Sequence, residues 1–198
     1  MGRPRADSID VATPERLLAA AELAFASKGL QGAALADIAA RAGISRPALL
    51  YHFATKETLY AAVVGRAFSS LADILTSAMS ATGSFRERVR AVVEGFLTYV
   101  AVHPALARVI VRELTSDAGP GRALLVSQGA PLVDAVVSFM EAEGQGELRA
   151  GIDVRAALML TVSDVFLRAV AGDVRAAFWG EAEHSWHLAE SLMFEENR

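Results

Sequence analysis

Groups able to do chemistry are few in this chain, and most of them fall in two short segments. Its 198 residues include four histidines and no cysteine. Without cysteine there are no disulfides, thiolate-bound zinc, iron–sulfur clusters or thiol nucleophiles, and the usage fits a reducing compartment. The densest titratable cluster is Glu181, Glu183, His184 and His187. Glu181 and His184 form an E-x-x-H pair, the spacing used by di-iron helical bundles. Such a centre needs a second pair and two further glutamates, and the chain has no second E-x-x-H. A solvated or dimer-interface helix face is the better account, and no metal or cofactor is expected. No Ser/His/Asp order, phosphate loop or G-x-G-x-x-G stands out, so an enzyme is not expected. His103, before Pro104, reads as a helix-end residue.

The second segment, residues 35–56, reads LADIAARAGISRPALLYHFATK. Two short helices meet through Ala42-Gly43-Ile44-Ser45. The glycine allows the left-handed backbone of a tight turn, and the serine hydroxyl can cap the second helix. Ile38, Ala39, Ile44, Leu49 and Phe53 form an apolar seam. This is the layout of a helix-turn-helix, whose second helix enters a major groove. The outer face then shows Arg46, Pro47, Ala48, Tyr51 and His52. Small apolar residues at 47 and 48 can approach thymine methyls, and Arg46 can reach guanine or phosphate. Lys56, just past the helix, suits a backbone phosphate. Spacing alone equally allows a plain hairpin inside a larger bundle.

The elements that must position these residues are helical throughout, since alanine abounds and alternating β-branched runs are scarce. About nine helices are expected, in an all-α fold. The first runs from Pro14 to Lys28, capped by Thr13 and ended by Gly29. The next two cover residues 35–42 and 46–53. A long fourth runs from Glu57 to about Ala81, and Gly83 breaks it. The fifth, 85–102, ends at His103-Pro104. The sixth covers 105–115. The seventh runs to about Glu143 with a bend at Gly129-Ala130-Pro131. An eighth, capped by Asp153, reaches Ala171. The ninth runs from Val174 to Glu195, with irregularity at Gly180.

Charge divides the chain. The net charge of −4 comes from 19 basic and 23 acidic residues. Residues 1–60 hold seven cations and six acids, leaving twelve cations against seventeen acids in the rest. DNA contact must therefore depend on placement, not bulk charge. The longest uncharged stretch is Gly95 to Ala107, which is 13 residues, short of the roughly 18 a spanning helix needs. No membrane segment or apolar leader is expected, and the cytoplasm is the default location.

The segments RLLAAAELAFASKGL (16–30), DIAARAGIS (37–45) and LLYHFATKETLYAAV (49–63) resemble, in order and spacing, the N-terminal domain of tetracycline-repressor-type (TetR family) regulators. The likeness covers about residues 12–65; beyond it, only helix count and size agree. It implies a DNA-binding domain over 1–60 and a ligand-binding and dimerisation domain over 61–198. It implies that Arg46, Pro47, Ala48 and Tyr51 read bases. Ser45, His52 and Lys56 would hold phosphates, with Arg41 and Thr55 as weaker candidates. Arg3 and Arg5 would form an arm able to enter a minor groove. The implied partners are a pseudo-palindromic DNA operator, a second copy of the chain and a small-molecule effector. Ala34 replaces a capping threonine frequent in the family, Leu50 a frequent aromatic residue, and Pro47 a frequent glycine.

In the C-terminal part, Glu94, Gln128, Asp164 and Arg168 stand among apolar neighbours and read as buried polar groups. The resemblance implies a cavity there, for which Phe96, Tyr99, Val100, Leu132, Val136, Phe139 and Phe166 are candidate walls. Arg86, Arg88 and Arg90 read as a solvated face. The last two helices are too apolar for one face. Leu158, Val162, Val165, Trp186, Leu188 and Leu192 are the candidates for a two-fold interface. The expected function is a ligand-responsive DNA-binding repressor. The alternatives are a helical-bundle metal protein or enzyme, and a regulator controlled by a protein partner.

Overall fold

The structure, a computed structural model, describes residues 12–116, 120–180 and 185–195, without the side chains of residues 12 and 13. Arg3, Arg5, Glu181, Glu183 and His184 lie outside the described residues; Thr13, expected to cap the first helix, is already inside it, since that helix begins at Ala12. The chain is all-α: α1 (Ala12–Gly32), α2 (Leu35–Arg41), α3 (Arg46–His52), α4 (Lys56–Met79), α5 (Phe85–Val102), α6 (Pro104–Thr115), α7 (Pro120–Leu124), α8 (Ala130–Glu143), α9 (Val154–Val170), α10 (Arg175–Trp179) and α11 (Ser185–Met193). A π turn, Leu125–Gly129, joins α7 to α8 in one run. The described residues thus form ten helices where nine are expected. The difference lies at Gly180, whose φ of 74° ends α10 outright. The expected ninth helix is two.

The chain divides into two compact units, Met1–Val64 and Gly65–Arg198. In the first, Leu17, Ala21 and Phe25 of α1 are buried with Ile38, Leu49, Leu59 and Tyr60. Phe25 and Tyr60 meet edge to face with centroids 5.0 Å apart. Gly29, at φ 69°, kinks α1 and the helix resumes to Gly32. Gly43, at φ 74°, makes the turn between α2 and α3, a backbone that an L side chain rarely adopts.

In the second unit, α5 buries Phe85, Val89, Val92, Val93, Phe96, Tyr99 and Val100, a helical stripe facing the core. The bend expected near Pro131 is the π turn. Proline has no N–H to give residue 127, and its ring crowds that carbonyl. The helix takes an extra residue, and the Ala130 N–H donates to the Leu125 carbonyl. By length and composition, Lys56–Met79 and Pro120–Glu143 are apolar enough to cross a bilayer, with mean hydropathies of 1.2 and 1.5. Both nevertheless carry charges inside the span, Arg66 and Asp73 in one and Arg122 and Asp134 in the other, which are costly in hydrocarbon.

The start of α5 carries a reciprocal cap. Ser84 Oγ accepts from the Glu87 N–H, and the Glu87 carboxylate accepts from the Ser84 N–H at 2.8 Å. The backbone hydrogen bond from Ser84, then the one from its hydroxyl, lowers the Glu87 pKa below its ordinary 4.5. A lowered carboxylate pKa stabilises the fold above the unfolded-state value, and that contribution is lost as pH falls toward the folded value. Glu87→Gln is therefore expected to flatten the acid limb of the urea midpoint between about pH 5 and 3, where the native protein loses stability.

Candidate nucleic-acid interface and effector pocket

The outer face of α3 follows from its inner one. Leu49 is fully buried, which turns the opposite side of this short helix to solvent. Arg46, Pro47 and Tyr51 are exposed, and Ala48 and His52 are half-buried. The pairs 47/51 and 48/52 lie one turn apart and make two adjacent rows. Tyr51 is 77% exposed, with its ring edge-on to His52 at 5.6 Å. Hydrophobic burial gives no reason for a tyrosine there. Arg41 lies exposed at the end of α2, where Ala34 makes no side-chain cap.

Three residues expected to hold phosphates have work inside the domain. Ser45 Oγ accepts from the Ala48 N–H at 3.3 Å and caps α3. Thr55 caps α4: its hydroxyl accepts from the Thr58 N–H at 3.1 Å, and the Thr58 hydroxyl donates to the Thr55 carbonyl at 2.8 Å. Lys56 Nζ donates to the carbonyls of Gln31, at 3.0 Å, and Ala33, at 3.3 Å. Gln31 is in the last turn of α1 and Ala33 just past it, so Lys56 ties the start of α4 to the end of α1. An ammonium has a third donor.

In the second unit, Phe96, Tyr99, Val100 and Phe166 line one apolar seam with Ala67, Phe68 and Leu71 of α4, Leu106, Ala107 and Ile110 of α6, and His103. Its cavity is about 10 Å³, at most room for one water. Phe96 and Phe166 meet edge to face at 5.4 Å. The α4 and α6 walls, and His103, are absent from the expected set; the signal for His103 was its place one turn after Tyr99.

Several expected wall and interface residues are elsewhere. Glu94 is exposed and pairs with Arg90 at 2.7 Å, on the side of α5 away from its buried stripe. The Glu94 hydrogen bond and charge raise the Arg90 pKa above its ordinary value. Gln128 sits in the π turn, its amide about 3.5 Å from where a Cβ on Gly65 would stand. Phe139 packs on Phe85 at 5.6 Å. Leu132 is half-buried and Val136 buried, and neither lines the seam. Asp164 and Arg168 pair at 2.8 Å, and Asp164 also accepts from Trp179 Nε1 and Ser185 Oγ. This cluster joins α9, α10 and α11. Arg86 and Arg88 are half-buried over the rings of Phe194 and Phe139, not on a solvated face. Leu158 and Val165 belong to the core, and Val162, Trp186, Leu188 and Leu192 are half-buried. The exposed apolar residues of α9 are instead Met159, Leu160 and Leu167, with Phe178 of α10 at 79% exposure.

A capped two-helix turn with a free polar and aromatic face defines a helix-turn-helix protein. Residues 17–63 match the profile of the family described as bacterial regulatory proteins, tetR family. The N-terminal domain, over residues 17–63, is thus a domain of that family. The chain is 39% identical over 85 residues to the HTH-type transcriptional activator FasR of Mycolicibacterium smegmatis, covering 43% of this chain and 39% of that protein. It is 33% identical over 78 residues to the HTH-type transcriptional repressor BepR of Brucella suis, covering 39% of this chain and 36% of that one. The chain thus aligns with less than half the length of these curated relatives. The fold also matches the transcriptional regulator FadR from Bacillus subtilis, solved in complex with stearoyl-CoA, with a TM-score of 0.72, 17% identity, and coverage of 90% of this chain and 96% of that one.

Proposed function

We propose that the protein is a homodimeric transcription regulator that binds double-stranded DNA through α3 and leaves it when a small, mostly apolar effector enters the second unit. The observation that carries the DNA reading is the exposed Arg46, Pro47 and Tyr51 face on a helix whose other side is fixed by buried Leu49. Arg46, Pro47, Ala48 and Tyr51 read bases; His52, the third donor of Lys56, Ser45, Arg41 and Thr55 serve phosphates. Two heads in a dimer would engage half-sites about 34–36 Å apart on a pseudo-palindrome. Met159, Leu160, Leu167 and Phe178 supply the apolar surface for the two-fold contact. The effector acts by binding one of two states better, and its effect cannot exceed that difference. Repression is the family's usual mode; the curated relatives include an activator and a repressor.

The test is a mobility shift on DNA upstream of the protein's own gene, repeated with stearoyl-CoA, the ligand of the FadR neighbour. A salt-sensitive shifted band that the acyl-CoA releases is expected. Failure to shift any such fragment below about 1 μM protein overturns the DNA reading, because non-specific binding alone reaches that range. One observation favours a second reading, control by a protein partner: the seam is nearly filled, at about 10 Å³. A thermal-shift screen in which no apolar compound stabilises the protein would support it.

A further inference from the structure

We propose that two copies of the chain meet antiparallel across α9, with Phe178 of each seated in a groove at the start of the other's α9. The inference rests on the homodimer reading above and adds the register and the occupant. The groove holds about 310 Å³, and Arg149, Ile152, Ala156, Ala157, Leu160 and Leu192 are among its walls. A cavity of about 150 Å³ accepts benzene, so a phenyl ring has room. The exposed residues Ala156, Leu160, Ser163 and Leu167 follow at steps of four, three and four, the spacing of a helix-pairing seam. None of them is charged. Ala156 and Leu160 also line the groove, so seam and groove are one surface. Ser163, the small residue between the two leucines, marks the crossing. A two-fold axis there sets each Leu160 against the partner's Leu167.

The same rotation brings Phe178 to the groove. Trp179 Nε1 and Ser185 Oγ both donate to Asp164, while Leu192 stands with Ala157 and Leu160 in the groove wall. So α11 runs back along one flank of α9, from Asp164 toward the start of that helix. Trp179, at the end of α10, lies on this flank too, under the Arg168 guanidinium. Its neighbour Phe178 has its ring centroid 6.0 Å away and is 79% exposed. An axis crossing α9 at Ser163 exchanges the ends of the helix and keeps the flank. The stretch 164–168 then faces 158–162 of the partner, within a turn of the groove residues Ala157 and Leu160. Charge agrees with this register. Asp173, exposed between α9 and α10, moves toward exposed Arg149 on the groove rim. Covering an exposed phenylalanine with apolar walls is favourable, and a two-fold contact does it twice.

The test uses the full-length chain, whose lack of cysteine makes an introduced thiol a clean reporter. Ser163→Cys is expected to give a disulfide-linked dimer under mild oxidation, while Leu23→Cys, exposed on α1, stays monomeric on the same gel. By analytical ultracentrifugation, Phe178→Asp is expected to raise the dimer dissociation constant at least tenfold, and Phe178→Leu to raise it less. Ala156→Trp fills the groove from its own chain and should weaken the dimer similarly. Combined with Phe178→Asp it should add less than about threefold, because both changes break one contact. Melting temperatures check that the variants fold. No cross-link through Ser163→Cys, native-strength dimers in Phe178→Asp, or fully additive losses overturn the seating of Phe178 while leaving a homodimer standing. A native protein that sediments as a monomer at about 10 μM overturns the homodimer reading, and this contact with it.

Discussion

Tyr51→Ala should weaken specific DNA binding by about ten- to hundred-fold, the range of a lost base contact worth 1–3 kcal/mol, and leave the melting temperature within a degree or two. The two halves of that expectation come from one number. Tyr51 is 77% exposed, so truncating it removes almost no burial, and surface substitutions of that kind stay within about 0.5 kcal/mol. Among the described residues its ring contact is with the edge of His52. A side chain that contributes so little to the fold, on a helix whose inner face is fixed by Leu49, is placed for an outside partner. The altered protein should also tolerate changes at the base pair that Tyr51 meets, measurable by selection from randomised half-sites. Lys56→Met makes the contrast. Lys56 donates to the Gln31 and Ala33 carbonyls, so its loss should lower both the unfolding midpoint and DNA affinity, without changing sequence preference. If Tyr51→Ala binds its operator normally, α3 is not the reading helix.

The reading head was legible because its determinants are local. Ser45, three residues before the N–H it caps, and Gly43 at the turn are visible in a window of a few residues, as is the apolar seam that includes Leu49. What sequence could not supply was the other end of Lys56's hydrogen bonds, about two dozen residues earlier. Glu94 shows a different failure. Apolar neighbours in sequence suggested burial, but the buried stripe of α5 runs through 89, 92, 93, 96 and 100, and position 94 points away from it. Helical period was enough to show this. On α9 it was not. Apolar residues stand all around that helix, so nothing in the sequence separates Leu158 and Val165, which are buried, from Leu160 and Leu167, which are exposed. Which face meets the core is fixed by α6, α8 and α11 packing against it. The seam had the same limit. Its α5 and α9 walls were named, but the α4 and α6 walls depend on how the helices cross.

The largest loss of stability is expected from Asp164→Ala. Asp164 Oδ2 accepts from Arg168 Nε at 2.8 Å and from Ser185 Oγ at 3.0 Å, and Oδ1 accepts from Trp179 Nε1 at 3.0 Å. One carboxylate therefore binds groups on α9, on the last residue of α10 and on the first of α11. The side chains of Arg168 and Asp164 are only 10% and 15% exposed. Desolvation makes such a pair a modest asset relative to an apolar pair, but removing one partner leaves a charge in a poor environment, at a cost of about 3–5 kcal/mol. Arg168 is poorly placed to recover, since its Nη1 is already buried without a partner among the described residues and its guanidinium lies over the Trp179 ring. Against a typical total of about 5–15 kcal/mol, that loss would bring the urea midpoint close to unfolding. The double change Asp164→Leu with Arg168→Met separates lost charge pairing from lost packing. If the cost comes from the orphaned guanidinium, the double variant should unfold at a higher urea concentration than Asp164→Ala. If both unfold together, the hydrogen bonds to Trp179 and Ser185 carry the stability, and the tie between α9 and the two helices after it depends on them rather than on the ion pair.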